Sequence, residues 1–285
     1  MFWAWTCLVL FPSLTLMAAG NLPPWQSMCW LTVATLAGCK AATWTLIDPQ
    51  LATRARRLGY WFGWPGMDPI GFLLAPKSAD ARPSRGQWLE AAALTALGAA
   101  LIWGAVRSLT WWPDLASWVA MAGLIFAGHF GALELLSCAW RSQGIMARPL
   151  MDHPWNAANL ADFWGRRWNT AFRDLAYRLV LIPVMRRAGP TAGLAAVFLF
   201  SGLVHDFVIS VSARGGYGLP TLYFLIQAAG TLLQRSAISK RLRLESGWRG
   251  WAVAMIVVFA PAGLLFHEPW RHNVILPLMR AIGAM

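Results

Sequence analysis

Apolar runs long enough to cross a bilayer recur along the whole chain, separated by short segments in which arginine, proline and glycine collect. Residues 1–19 form the first. They end in small residues as a secretory leader does, but no Lys or Arg precedes the apolar core, so a first transmembrane helix is expected. A second run covers 25–47 and is opened by Pro23 and Pro24, a residue type tolerated at a helix start. Runs at 88–109 and 115–140 are joined by a turn containing Trp111, Trp112, Pro113 and Asp114. Three more follow at 190–211, 217–233 and 250–266, and the tail 273–285 is too short for an ordinary span. This pattern predicts an all-α polytopic membrane fold with about seven crossings, an eighth depending on the tail. No internal repeat is present, so one membrane domain over residues 1–285 is expected.

The run at 60–75 breaks the pattern. It is short, carries Asp68, and is interrupted by Gly63, Pro65, Gly66, Pro69 and Gly71. Basic residues flank both sides, Arg54, Arg56 and Arg57 before it and Lys77, Arg82 and Arg85 after it. A re-entrant or interfacial segment keeps both flanks in the cytoplasm, where basic loops collect.

Composition supports the membrane reading. Of 285 residues, 58% are apolar and 13% charged, against roughly 25% charged in soluble domains. The 19 tryptophans suit interfacial belts. The net charge of +12 resides mostly in arginines of the polar connections, so it reports topology and argues against a nucleic-acid partner. Cys7, Cys29, Cys39 and Cys138 follow no metal or disulfide spacing. Likewise His267, Glu268 and His272 lack the spacing of a helical zinc site, and no metal is expected.

The longest polar stretch, 141–189, contains eight arginines: Arg141, Arg148, Arg166, Arg167, Arg173, Arg178, Arg186 and Arg187. Within it, 159–184 reads as a cytoplasmic interfacial helix, because Phe163, Trp164, Trp168, Phe172, Leu175 and Leu179 recur at helical spacing. Asn156 or Asn159 can cap its start, with Asp162 in the first turn. The sequence Phe163-Trp164-Gly165-Arg166-Arg167-Trp168-Asn169 sets two guanidinium groups among aromatic anchors. Such forks suit the phosphates of a nucleotide-containing carrier such as coenzyme A, or equally lipid headgroups.

The following span holds Ser201-Gly202-Leu203-Val204-His205-Asp206. Ionisable groups at membrane depth are costly and therefore functional candidates, although a histidine satisfied by a backbone carbonyl is the structural alternative. Ser201 and His205 share a helix face, and Gly202 beside them is expected to open a notch. A neutral imidazole there can accept a proton from a hydroxyl. Asp206, roughly 100° further round the helix, is placed to orient a neighbour.

These two elements together, the aromatic segment ending in Asn169 and the Ser201–His205 element about 30 residues later, resemble the wax synthase branch of the membrane-bound O-acyltransferase superfamily. Upstream, Trp155 and Asn156 resemble the tryptophan and asparagine of the acyl-CoA-binding stretch in sterol and diacylglycerol acyltransferases. The likeness is clear over 155–223, within a motif region of 152–225. Where that family usually has Glu after the histidine, this chain has Asp206. The resemblance implies a helical membrane fold enclosing a tunnel, with acyl-CoA as co-substrate and no other cofactor, and a hydroxyl-bearing lipid or small molecule as acceptor. It implies His205 as the catalytic residue and Asn169 as its polar partner. Arg166, Arg167, Trp164, Trp168, Trp155 and Asn156 would hold the acyl-CoA, and Ser201, Asp206 and Glu134 would support or line the tunnel. A transporter using His129, Glu134, His205 and Asp206 as a proton or substrate path is the competing class. Richness in Ala, Arg and Trp points to a bacterial inner membrane.

Overall fold

The computed structural model describes residues 2–19 and 21–285; Met1, part of the first expected span, and Gly20 lie outside the described residues. Every regular element among the described residues is helical. Among the described residues, four helices are long and apolar enough to cross a membrane: Ala79–Ser108, Pro113–Ser142, Thr170–Ala213 and Gly247–Leu265. They overlap the runs expected at 88–109, 115–140, 190–211 and 250–266. Phe2–Ala19, Pro24–Trp44 and Leu219–Gln234 are also helical. None of the three joins the four; within the first, Trp5–Ala18 is a shorter apolar helix. Proline stands in the first turn of Pro24–Trp44, Pro113–Ser142 and Leu219–Gln234, where a missing N–H costs nothing.

The chain divides into two compact units, one running to Leu150 and including Arg271–Met285, the other Met151–Trp270. In the first, the broken segment is built from a helix Arg54–Phe62, an irregular stretch and a wide π-type turn Ile70–Leu74. Its free carbonyls are met by side chains. Arg56 Nη1 donates to the carbonyls of Leu73 (3.0 Å) and Ala75 (2.6 Å), and Trp140 Nε1 to that of Gly63 (2.8 Å). Lys40 Nζ donates to the Gly66 carbonyl (2.5 Å) and lies 3.5 Å from the Tyr60 ring centroid. Non-helical backbone away from water requires such internal partners. Around it Phe72 packs on Tyr60, Trp64 and Trp140.

The second unit holds the motif region. It begins with a 3₁₀ turn Pro154–Asn156, then a short helix over 160–167, here the Trp164 helix. The long helix Thr170–Ala213 follows, and Leu219–Gln234, the return helix, packs back against it. Gly247–Leu265 closes the unit. Its Ala254 and Val258 bury against Ala157, Leu160 and Phe163, with Trp164 and Trp168 at the edge of that core.

One expectation changes here. The interfacial helix predicted over 159–184 is interrupted, because Trp168 is extended (φ −104°, ψ 125°) and Asn169 is left-handed (φ 43°, ψ 62°). Asparagine is one of the few residues that tolerates this conformation. The long helix is itself broken at Gly189 (φ 87°, ψ 170°), a glycine conformation set immediately before Pro190, which disfavours a helical residue ahead of it. The apolar helix after the break therefore starts at Pro190, where the expected run 190–211 begins.

Candidate functional site

The Trp164 helix is fixed at its start by short-range capping. Asn159 Oδ1 accepts from the Asp162 N–H (2.8 Å), so Asn159 rather than Asn156 is the cap. Gln234 Oε1 of the return helix accepts the Leu160 N–H (2.8 Å), which ties the two elements together. The helix ends in a π-type turn, where the Trp168 N–H donates to the Phe163 carbonyl (2.9 Å). Within it the Trp164 indole N–H donates to Gln227 Oε1 (3.3 Å), and Phe163 stacks on Trp168 at 5.7 Å.

Asp162 is buried at the centre of this segment. It accepts from the Ala158 N–H (3.0 Å), Arg166 Nε (2.8 Å) and Arg167 Nε (2.8 Å). Burial alone would raise its pKa, but the Ala158 hydrogen bond and the two guanidinium groups outweigh that and hold it below the usual aspartate value. Both arginines are thereby engaged. Arg166 is otherwise largely exposed, and Arg167 also donates to the carbonyls of Asp152 (3.2 Å) and His153 (3.4 Å).

Asn169 restarts the helix. Its Oδ1 accepts from the Phe172 N–H (3.1 Å), and its own N–H donates to Met151 Sδ (3.2 Å). An oxygen must face a backbone donor, so the amide orientation is fixed and Nδ2 is left as a free donor. One turn on, the Phe172 ring meets the His205 ring edge-on at 6.3 Å. The same imidazole lies against Phe224 of the return helix at 4.5 Å.

His205 Nδ1 lies 2.7 Å from the Ser201 carbonyl one turn earlier. A carbonyl only accepts, so Nδ1 carries the hydrogen and Nε2 of the neutral ring keeps its lone pair. The bland alternative of a carbonyl-satisfied histidine is thus correct for one nitrogen and silent on the other. Asp206 faces elsewhere. Its carboxylate accepts from the Gly218 N–H (2.9 Å), the Thr221 N–H (3.2 Å) and Thr221 Oγ1 (2.5 Å), which caps the return helix. The notch expected at Gly202 is filled: a Cβ there would stand 2.8 Å from Thr221 Cα, so the glycine serves close helix packing.

A cavity of about 510 Å³ brings several of these groups together. Trp164, Trp168, Asn169, Ser201 and His205 all line it. Arg166, Arg167, Asp206, Trp155 and Asn156 do not. Trp155 and Asn156 sit in the exposed 3₁₀ turn, where the Trp155 carbonyl accepts from Trp251 Nε1 (2.7 Å). Glu134, in the first unit, is ion-paired with Arg141 at 2.7 Å. Residues not anticipated from the sequence complete the wall, chiefly Phe172, Arg173, Phe224, Thr231 and Arg235. Arg173 pairs with Asp174 and donates to the Gly165 carbonyl (2.7 Å).

Residues 147–227 match the membrane bound O-acyl transferase family. The chain is 30% identical over 162 residues to a probable long-chain-alcohol O-fatty-acyltransferase 2 of Arabidopsis thaliana, covering 53% of this chain and 44% of that protein. It is 27% identical over 144 residues to a long-chain-alcohol O-fatty-acyltransferase of Simmondsia chinensis, covering 46% and 41%. An acetyltransferase of Arthrinium sp is 28% identical over 130 residues, covering 41% and 29%. The chain therefore spans less than half the length of these relatives. The matching segment carries most of the cavity wall, and over it the chain is similar to the membrane bound O-acyl transferase family and to long-chain-alcohol O-fatty-acyltransferases.

Proposed function

We propose that the protein is a membrane-embedded O-acyltransferase that moves a fatty acyl group from an acyl-CoA thioester to a hydroxyl acceptor. A long-chain alcohol is the first acceptor to test, because the relatives from Arabidopsis thaliana and Simmondsia chinensis carry that activity in their names. One observation carries the reading: His205 is locked with its Nδ1 hydrogen on the Ser201 carbonyl, in the wall of a cavity that Asn169 also lines.

In this reading the acceptor hydroxyl donates to Nε2. As the proton passes to the imidazole, the alcohol oxygen bonds to the thioester carbonyl carbon, giving a tetrahedral oxyanion. Asn169 Nδ2 donates to that oxyanion, since its Oδ1 is occupied by the Phe172 N–H. Collapse re-forms the carbonyl and breaks the carbon–sulfur bond. The imidazolium then returns its proton to the departing sulfur, leaving an ester, a free thiol and neutral His205. Phe172 and Phe224 flank the ring and keep water from the thioester.

The same proposal includes about seven crossings with an eighth at the tail, a re-entrant 60–75 segment and a tunnel around the cavity. It treats the bacterial inner membrane as an expectation of composition only, to which the matching plant-named relatives lend nothing. The transporter reading gains no support from these relatives either, and Glu134, which it needs, is ion-paired. The test is incubation of purified protein with labelled acyl-CoA and a panel of alcohols. Acceptor-dependent thiol release is expected, and it is lost in His205→Ala while the protein still inserts; undiminished turnover in that variant refutes the role.

A further inference from the structure

The return helix ends at Gln234, and Gly247–Leu265, long and apolar enough to cross a membrane, begins shortly after. The connection between them therefore lies at the membrane edge of that helix. Trp248 and Trp251 in its first turns are of the type that settles at such a boundary. Within the connection, Ser236 Oγ accepts from the Ser239 N–H (3.3 Å) and caps a short helix, Ala237–Arg241. Ile238 and Leu242 stand one turn apart, with the Leu242 N–H donating to the Ile238 carbonyl (3.0 Å), and so share one side of it. Ile238 is 71% exposed, Leu242 53% and Trp248 74%, whereas Ser239 is buried. The element is amphipathic the wrong way round for a soluble loop.

Lys240, Arg241, Arg243 and Arg249 interleave with these apolar side chains and are all exposed. Among the described residues none of the four has an acidic partner, in contrast to Arg166, Arg167 and Arg173, which pair with Asp162 or Asp174. The Arg249 guanidinium lies 5.6 Å from the Trp248 ring centroid, so a cation and an indole are presented together. The inner side of the connection is tied down by two amide side chains. Gln234 Nε2 donates to the carbonyls of Leu244 (2.7 Å) and Gly250 (3.2 Å), and Asn159 Nδ2 to that of Glu245 (2.9 Å). The oxygens of these same amides hold the Leu160 and Asp162 N–H groups of the Trp164 helix. The connection is thus anchored to the folded unit, with its cations and apolar groups set outward before any partner arrives.

We propose that residues 236–249 are a docking surface for anionic phospholipid headgroups of the bilayer. Ile238, Leu242 and Trp248 enter the boundary between headgroups and acyl chains, and Lys240, Arg241, Arg243 and Arg249 meet the phosphates. Charge complementarity and position select this partner together. Basic connections collect on the cytoplasmic side, where anionic lipid gives the leaflet a negative surface potential. A phosphate in solution would satisfy the cations and leave three large apolar side chains in water, whereas the bilayer boundary accommodates both. Guanidinium forks also fit phosphate oxygens in pairs. None of residues 236–249 lines the cavity, so the surface is separate from the candidate site and does not depend on the acyl-transfer reading.

The test titrates purified, delipidated full-length protein in detergent with labelled phosphatidylglycerol and with phosphatidylcholine of the same acyl chains. Wild type binds phosphatidylglycerol the more tightly. Replacing Lys240, Arg241 and Arg243 together by Gln raises its Kd about fivefold per charge, on the order of a hundredfold in all, and leaves phosphatidylcholine nearly unchanged. Replacing Lys77, Arg82 and Arg85 together by Gln removes the same charge from exposed positions elsewhere and changes the Kd by less than about threefold. Arg241→Lys with Arg243→Lys keeps the charge and most of the binding, which separates loss of charge from misfolding. Equal weakening by the two triple variants would show that net charge alone attracts the lipid, and would overturn the assignment. So would a wild-type protein that does not distinguish the two lipids, or one that binds a soluble polyglutamate peptide more tightly than phosphatidylglycerol. No turnover is measured, so failure here and failure of the acyl-transfer reading remain distinct.

Discussion

The sharpest perturbation of the site is Asn169→Asp. Under the proposed mechanism Asn169 has two separable duties. Its Oδ1 caps the helix at Phe172 from a left-handed backbone, and its Nδ2 is the donor left for the cavity. Aspartate keeps the first duty, since Asp and Asn are nearly equal caps and both tolerate the left-handed region. A stability change of no more than about 0.5 kcal/mol is therefore expected. The second duty is inverted, because a carboxylate oxygen replaces the N–H donor facing the developing oxyanion. Loss of one such donor costs about 10²- to 10³-fold in kcat, equivalent to roughly 3–4 kcal/mol of barrier, and the added negative charge pushes toward the upper end. Asn169→Ala serves as the contrast. It loses the cap, about 1 kcal/mol, and strains an alanine at φ 43°, adding on the order of 1 kcal/mol, so stability and activity fall together. The assay is acceptor-dependent thiol release at saturating donor and alcohol, beside thermal unfolding in the same detergent followed by tryptophan fluorescence. If Asn169→Asp unfolds with the wild type and also turns over within about threefold of it, the oxyanion role is wrong and Asn169 is only a cap.

Two further outcomes follow from the same hydrogen bonds. Asp206→Ala removes the acceptor of three hydrogen bonds at the start of the return helix, so melting falls by an amount corresponding to about 2–3 kcal/mol and kcat falls as Phe224 loses its place against His205; intact stability would contradict the capping role. Asp162 has a folded-state pKa held below the ordinary value of about 3.9, so its stabilising contribution is complete above that value and is lost as pH falls through the lower, folded one. Acid unfolding curves of wild type and Asp162→Asn should thus differ most above about pH 4 and converge in stronger acid, whereas a constant gap across that range would show that the carboxylate charge is not what matters.

The sequence exposed those parts of the site whose chemistry stands out against an apolar background. An imidazole inside a membrane run and an asparagine closing an aromatic segment are conspicuous, and both line the cavity. The arginines were conspicuous too, and the structure adds what holds them. Asp162 stands four residues before Arg166, a spacing at which opposite charges meet on a helix, and the structure has Arg166 and Arg167 both engaged by that one carboxylate. The acidic residue at that spacing was the available sign that these two side chains share a carboxylate. The break at Trp168–Asn169 was hidden for a related reason. The apolar periodicity from Phe163 to Leu179 continues through it, and periodicity reports which face is buried, not whether the backbone is continuous.

What no local pattern carries is the assembly of a wall from separate helices. Phe172 and Phe224 touch His205 from elements on either side of it in sequence, yet neither is distinguishable by type in a chain with 14 phenylalanines. Their places depend on two polar residues: Asn169, itself in the wall, setting the start of the helix that bears Phe172, and Asp206, outside it, setting the start of the one that bears Phe224. In sequence Asp206 stands next to His205, and Asn169 stands three residues before Phe172. The polar residues of the motif therefore have a double effect. They line or border the cavity, and they fix the helix starts from which two otherwise anonymous aromatic rings reach the imidazole. A substitution at Asp206 can consequently disturb the cavity without touching it.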